Sequence, residues 1–203
     1  MFRLARLSDV VHLPPSSINT PLPRAVQEHI ALKYTDRVVP NLGLAVAIYD
    51  LEHLGDAQLR QGSPEHHVSV KFRLVVFCPL VGEILTGTIV ASDKFGITIS
   101  MGFFNDIFVP ARRLHEFTSW SEEEELFVWN VNGGDDKLYF DLENEARFKV
   151  TAVHFRQQSS QRLDERGACA TSNSSEMEPA MKVVASMDVA GLGLLHWWPP
   201  GES

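Results

Sequence analysis

Beyond Pro79 the sequence is a succession of short strand-like runs separated by glycines and turn residues, and this spacing constrains the fold more than any other feature. Residues 83–92, 96–102, 106–110, 126–131, 137–142 and 145–155 each have strand content. Alternation is cleanest in Gly96-Ile97-Thr98-Ile99-Ser100-Met101-Gly102, where every second side chain is apolar. Residues 126–131 and 137–142 are separated by Asn132-Gly133-Gly134-Asp135, a composition that suits a hairpin turn. Short strands at close spacing, with glycine at the corners, predict a Greek-key barrel, because closure removes exposed sheet edges.

The residues before Pro79 read differently. Residues 2–13 are strand-like and stop at Pro14-Pro15, since proline cannot donate to a ladder. Thr20 is expected to cap a helix with Pro21 at its first position. Leu22, Val26 and Ile30 recur at i+4 and mark its buried face, running to about Asp36. Residues 37–49 are expected to form one strand, with Gly43 as a possible bulge. Residues 53–67 read as a long polar connection. Val68, Val70, Phe72, Leu74 and Val76 then alternate with Ser69, Lys71, Arg73 and Val75, the pattern of a half-buried strand. The order β-α-β-β predicts one helix packed on a small antiparallel sheet, an α+β domain.

The 203 residues suit one large or two small domains, and the change of pattern near Pro79 favours two, 1–80 and 81–203. Charge divides the chain in the same place. Residues 1–80 carry 8 Lys and Arg against 7 Asp and Glu, whereas residues 81–156 carry 7 against 13. The net charge of −8 argues against a chain that binds duplex nucleic acid alone, because phosphate neutralisation needs surplus cations. Residues 157–180 interrupt the barrel pattern. Gln157-Gln158-Ser159-Ser160-Gln161 and Thr171-Ser172-Asn173-Ser174-Ser175 are polar and free of aromatics, so a mobile insertion is expected before the strand at 181–187.

Several functions are disfavoured. No phosphate-binding glycine loop and no nucleophile elbow are present. His66 and His67 are adjacent and would point to opposite faces of a strand, and the histidines lack metal-ligand spacing. No catalytic residue, metal site or cofactor is expected. Glu122-Glu123-Glu124-Glu125 reads as a solvated loop or helix start rather than a cation site. Cys78 lies in an apolar run and Cys169 in a polar one, so no disulfide is expected between them, which favours a reducing compartment. No apolar run approaches the roughly 18 residues of a membrane span, and the first residues lack secretory-signal character.

A barrel of this kind can bind single strands by stacking bases on exposed rings beside cations. The candidates are Lys94, Phe95, Phe104, Arg112, Arg113, Tyr139 and Lys149, with Phe103, Lys137 and Phe148 as further possibilities. Most of these rings are expected to fill the interior instead. In the terminal Gly191-Leu192-Gly193-Leu194-Leu195-His196-Trp197-Trp198, the leucines are expected to complete a strand. The tryptophans are expected to pack between the two halves or to serve as a docking element.

One family matches these motifs. Phe72-Arg73-Leu74-Val75-Val76-Phe77-Cys78-Pro79, Gly82-Glu83-Ile84-Leu85-Thr86-Gly87, Gly96-Ile97, Ser100-Met101-Gly102-Phe103-Phe104-Asn105-Asp106-Ile107 and Val109-Pro110 resemble the larger stalk subunit of RNA polymerases, a family with an archaeal as well as a eukaryotic branch. Val39, Asn41-Leu42-Gly43-Leu44 and Asp50 resemble its N-terminal tip domain. The resemblance covers nearly the whole chain outside 156–180, and Asn105 stands where the family often has Asp. The Gly102–Ile107 block and the double-Trp ending resemble the RNA polymerase III version, whereas the polymerase II version lacks that ending.

The resemblance implies an RNP-like tip domain followed by an S1-type OB barrel, with no active site of its own. It implies a nuclear role in initiation at tRNA, 5S rRNA and other small-RNA genes. It implies three partners: a smaller stalk subunit, the polymerase core and, weakly, nascent single-stranded RNA. Phe2, Leu4, Asn41, Leu42, Gly43, Trp197 and Trp198 are the candidate docking residues. The alternatives are a free-standing single-strand RNA-binding protein, the equivalent polymerase II subunit, and an enzyme with an OB appendage.

Overall fold

The computed structural model describes residues 1–59, 62, 64–133, 136–156 and 179–198. The expected insertion therefore lies almost wholly outside the described residues, as do Cys169, Gly134 and Asp135. The chain divides into two compact units, Met1–Pro79 and Leu80–Ser203.

The first unit has β1 (Phe2–Leu13), α1 (Leu22–Tyr34), β2 (Arg37–Val39), β3 (Gly43–Leu54), β4 (Gln58–Leu59) and β5 (His66–Phe77). Its antiparallel sheet has the order β1-β5-β3-β2, with β4 also on β5. The alternation in β5 decides its packing. Val68, Val70, Phe72, Leu74 and Val76 are buried in one cluster with Ala25, Val26 and Ile30 of α1. Each fully buried side chain of this size contributes about 1.5–3 kcal/mol before entropy is counted. The side chains between them, with Phe2, Leu4, Arg6, Ser8, Val10 and His12 of β1 in register, line the face without a helix.

Four local expectations need correction. Thr20 does not cap α1: it closes a 3-10 turn over Pro15–Asn19, and Pro21 takes the cap position without a side-chain bond. Residues 37–49 are two strands, because Pro40 lacks a donor and Asn41 adopts a positive φ of 60°. The N–H of Leu42 donates to the Val39 carbonyl at 3.1 Å and closes that turn. The connection at 53–67 is shorter than expected, since β3 runs to Leu54 and β4 interrupts the rest. Gly43 is a close approach rather than a bulge. A Cβ there would lie 2.2 Å from the Phe77 carbonyl oxygen, and φ is +127°.

The second unit has β6 (Ile84–Asp93), β7 (Gly96–Ser100), β8 (Ile107–Pro110), β9 (Thr118–Ser121), β10 (Leu126–Asn130), β11 (Lys137–Tyr139), β12 (Glu145–Phe155), β13 (Met181–Ser186) and β14 (Gly193–Leu194). β6, β7 and β8 form a meander. β8 pairs parallel with β13, β13 antiparallel with β12, and β12 antiparallel with β6. Five strands thus close a ring. Ile89, Ile97, Ile99, Ile107, Val109, Phe148, Val183 and Ala185 are buried in this unit. β9, β10 and β11 form a separate three-stranded sheet between β8 and β12 in sequence. β9 was not legible in advance: Thr118-Ser119-Trp120-Ser121 has little apolar periodicity and becomes a strand by pairing with β10. The Glu122–Glu125 run is an exposed turn between them and not a helix start.

The terminal strand is shorter than expected. Only Gly193–Leu194 pair with β12, and Leu195–Trp197 turn as a 3-10 helix. The Trp197 ring folds back on Gly193 so closely that a Cβ there would lie 2.7 Å from it.

Candidate nucleic-acid interface and docking surfaces

The turn between β6 and β7 is built by Asp93. Its carboxylate accepts the N–H groups of Phe95 at 2.8 Å and Gly96 at 3.1 Å. This tight turn leaves the Phe95 ring 68% exposed, with the Lys94 Nζ 5.3 Å from its centroid. The Phe95 carbonyl accepts the Ala111 N–H at 2.9 Å. That bond holds the Ala111–Arg113 turn, with exposed Arg112 and Arg113, beside the β6–β7 turn. Four of the candidates are therefore brought to one end of the barrel: Lys94, Phe95, Arg112 and Arg113.

The same region contains a pair that sequence reasoning missed. Phe108 lies on β8 opposite Thr98, and a Cβ on Gly96 would come within 2.7 Å of its ring. The Lys182 Nζ, from β13, sits 4.8 Å from the Phe108 centroid. One signal was available. Ile107 and Val109 must face inward, so the ring between them must face outward. Lys182 could not be found that way, because its neighbour across the parallel pair is distant in sequence. The carboxyl pKa of nearby Asp106 is raised by burial, against the opposing pull of the Lys182 charge.

Other candidates separate. Phe104 is 5% exposed and Phe148 is fully buried, so neither can stack on a base. Tyr139 is half-buried on β11 opposite Val128, in the three-stranded sheet. Lys149 pairs with Ile84, at the end of β6 away from the β6–β7 turn. With Arg147, Ile84 and Val189 it lines a groove of about 250 Å³, and both apolar side chains are exposed.

The docking candidates fall in three places. Phe2 and Leu4 are 46% and 50% exposed on the helix-free face of the first unit, next to Val75 and Phe77 in register. That face continues into an ion network. Arg6 donates to Glu52 at 2.8 Å, Arg73 pairs with Asp50 and Glu52, and the Arg73 guanidinium lies 4.9 Å from the Tyr49 centroid. The hydrogen bond from Arg73 holds the Asp50 carboxyl below its ordinary pKa and raises that of Arg73. Asn41 is the exposed tip of the β2–β3 turn, whereas Leu42 packs against the helix-backed core and Gly43 is buried.

Trp197 and Trp198 form an aromatic cluster with described partners in the second unit. Trp197 meets Phe140 edge-on at 4.7 Å and lies 5.5 Å from Trp129. His115 stacks on Trp129 at 4.2 Å. The Leu192 carbonyl accepts the Trp198 Nε1–H at 3.0 Å and lies 3.1 Å from His115 Nε2. Burial lowers the His115 pKa, although the Leu192 bond and the Asp188 charge oppose the shift.

Among the described residues no group of three or more His, Cys, Asp or Glu side chains is placed to hold a metal ion. His67 faces His12 across the β1–β5 pair, ring to ring at 4.3 Å. Among the described residues no helix is long and apolar enough to cross a membrane.

The comparisons with known proteins agree over both units. Residues 83–198, more than half of the chain, match the family model described as RNA polymerase III subunit Rpc25. Residues 8–64 match the SHS2 domain found in the N terminus of Rpb7p and Rpc25p. The DNA-directed RNA polymerase III subunit rpc8 of Schizosaccharomyces pombe is 33% identical over 202 residues, covering 98% of this chain and 100% of its own length. The corresponding RPC8 subunit of Bos taurus is 34% identical over 203 residues, covering 98% of each chain. The archaeal DNA-directed RNA polymerase subunit Rpo7 of Saccharolobus shibatae is a more distant relative, 24% identical over 102 residues, or 50% of this chain and 57% of its own. With near-complete coverage at one-third identity and a matching family model, the chain belongs to the RNA polymerase III subunit Rpc25 family.

Proposed function

We propose that the chain is a non-catalytic stalk subunit of nuclear RNA polymerase III. It pairs with a smaller stalk subunit, docks on the polymerase core and contacts nascent RNA weakly during initiation at tRNA, 5S rRNA and other small-RNA genes. The observation that carries this reading is the full-length similarity to subunits named for RNA polymerase III.

Residues 1–80 serve as an RNP-like tip domain and residues 81–203 as an S1-type OB domain. The closed ring β6-β7-β8-β13-β12, with its one parallel pair, supports the second assignment. The helix on one face of an antiparallel sheet supports the first. Phe2 and Leu4 suit a protein partner because they leave apolar surface on the helix-free face. Val81, Ile84 and Val189 do the same in the second unit, with Arg147 and Lys149 beside two of them. RNA contact is assigned to Phe95 and Phe108 as stacking rings, with Lys94, Lys182, Arg112 and Arg113 for phosphates. It is weak because residues 81–156 hold 13 acidic against 7 basic side chains.

Affinity purification of the tagged chain tests the assignment. The large subunits of RNA polymerase III are expected to co-purify with it. Recovery of polymerase II subunits instead, or of none, overturns it. Phe95→Ala with Lys182→Ala is expected to weaken single-stranded RNA binding by about 1–3 kcal/mol, read by fluorescence anisotropy.

A further inference from the structure

A cleft of about 430 Å³ opens between the β6–β7 turn and the β9–β10 turn, lined by Asp93, Lys94, Phe95, Trp120, Glu122 and Glu125 together with Ser92. We propose that it is a docking site for an arginine- or lysine-rich protein segment, a partner distinct from RNA.

The rings supply the apolar part. Phe95 is the exposed platform, and Trp120 is held by an edge-on contact with Phe127 at 5.0 Å. Cations bind the faces of such rings, with Trp the strongest. The charges decide which macromolecule fits. The lining has three carboxylates and one ammonium. Glu122 and Glu125 are exposed and make no ion pair among the described residues, and the adjacent Glu123 and Glu124 are exposed as well. A phosphate backbone entering here would meet like charge at close range. A guanidinium or ammonium would meet two open carboxylates and two rings. Lys94 is already drawn to Phe95 at 5.3 Å, the geometry an incoming cation would take in its place. The cleft shares Lys94 and Phe95 with the proposed RNA surface and differs from it in the carboxylates of Asp93, Glu122 and Glu125.

The test uses the full-length chain and a fluorescein-labelled peptide of alternating Arg and Gly, followed by anisotropy. Saturable binding is expected. Glu122→Lys with Glu125→Lys is expected to weaken it about tenfold or more, because attraction becomes repulsion. Both residues are exposed in a turn, and an unchanged far-UV spectrum confirms the fold. Asp141→Lys with Glu145→Lys makes the same change of charge elsewhere on this unit and is expected to shift affinity less than about threefold. Phe95→Ala is expected to weaken the peptide as the first pair does. Equal losses in the two charge-reversal pairs overturn the proposal in favour of diffuse attraction. Displacement of the peptide by oligouridylate, with no loss in the Glu122→Lys, Glu125→Lys protein, overturns it in favour of RNA. Neither result affects the polymerase III assignment, which rests on co-purification.

Discussion

In residues 1–79 one helix covers one face of an open sheet, whereas in the second unit five strands close on themselves. The open sheet has a second face to account for. It holds Phe2, Leu4 and Val10 exposed, and beside them the Arg6, Glu52, Arg73 and Asp50 network. The barrel has consumed its edges and buried its inward side chains, so its exposed rings stand on turns or singly on the outer surface. An open sheet offers broad surface to a protein partner, while a closed barrel offers small sites. That contrast matches the proposed use of Phe2 and Leu4 for docking and of Phe95 and Phe108 for RNA contact.

The contrast can be tested from the strongest effect down. Phe148→Ala removes a fully buried barrel ring and is expected to cost about 3–5 kcal/mol, measured by urea unfolding. Phe2→Ala on the open face should change stability by less than about 1 kcal/mol, since half of that ring is already in water. Equal losses would mean that the open face is as finished as the barrel interior. Leu4→Asp is expected to weaken association with the smaller stalk subunit about tenfold or more, by calorimetry, with little change in unfolding. An unchanged affinity would remove Leu4 from the docking surface.

The smallest expected effect is a pH dependence confined to the barrel unit. His115 is buried against Trp129, and burial lowers its pKa in the folded chain. The unfolded chain then binds the proton more readily. The neutral ring's contribution is fully present above about pH 6.5 and is lost as pH falls through that value towards the folded pKa. The urea midpoint should therefore drop between about pH 7.5 and about pH 5.5, and His115→Gln should drop less. Equal drops would assign the dependence to other groups.

Local pattern made much of the fold legible. Phe2–Leu13 and Glu145–Phe155 are strands with the expected bounds, because alternation and proline act within a few residues. The expected strand at 37–49 broke at Pro40-Asn41, where backbone chemistry outweighs apolar content. β9 was hidden because pairing, not composition, makes it a strand.

The site divided on the same principle. Phe95, Phe104 and Phe148 are one residue type in one barrel, yet one is exposed and two are buried. For Phe148 and Phe108 strand alternation points inward or outward. For Phe95 and Phe104, outside the strands, only the turns decide.

By itself the sequence determined the alternating strands, the amphipathic face of α1, the acidic barrel and the motifs of the family. These are local or additive properties, readable one residue after another. Only the tertiary structure decided that Phe95 is bonded to the Ala111–Arg113 turn, that Lys182 reaches Phe108, and that Trp197 and Trp198 pack on Trp129, with Trp197 also on Phe140. Ring closure brings together residues far apart in the chain, and no spacing along the sequence records which of them will meet.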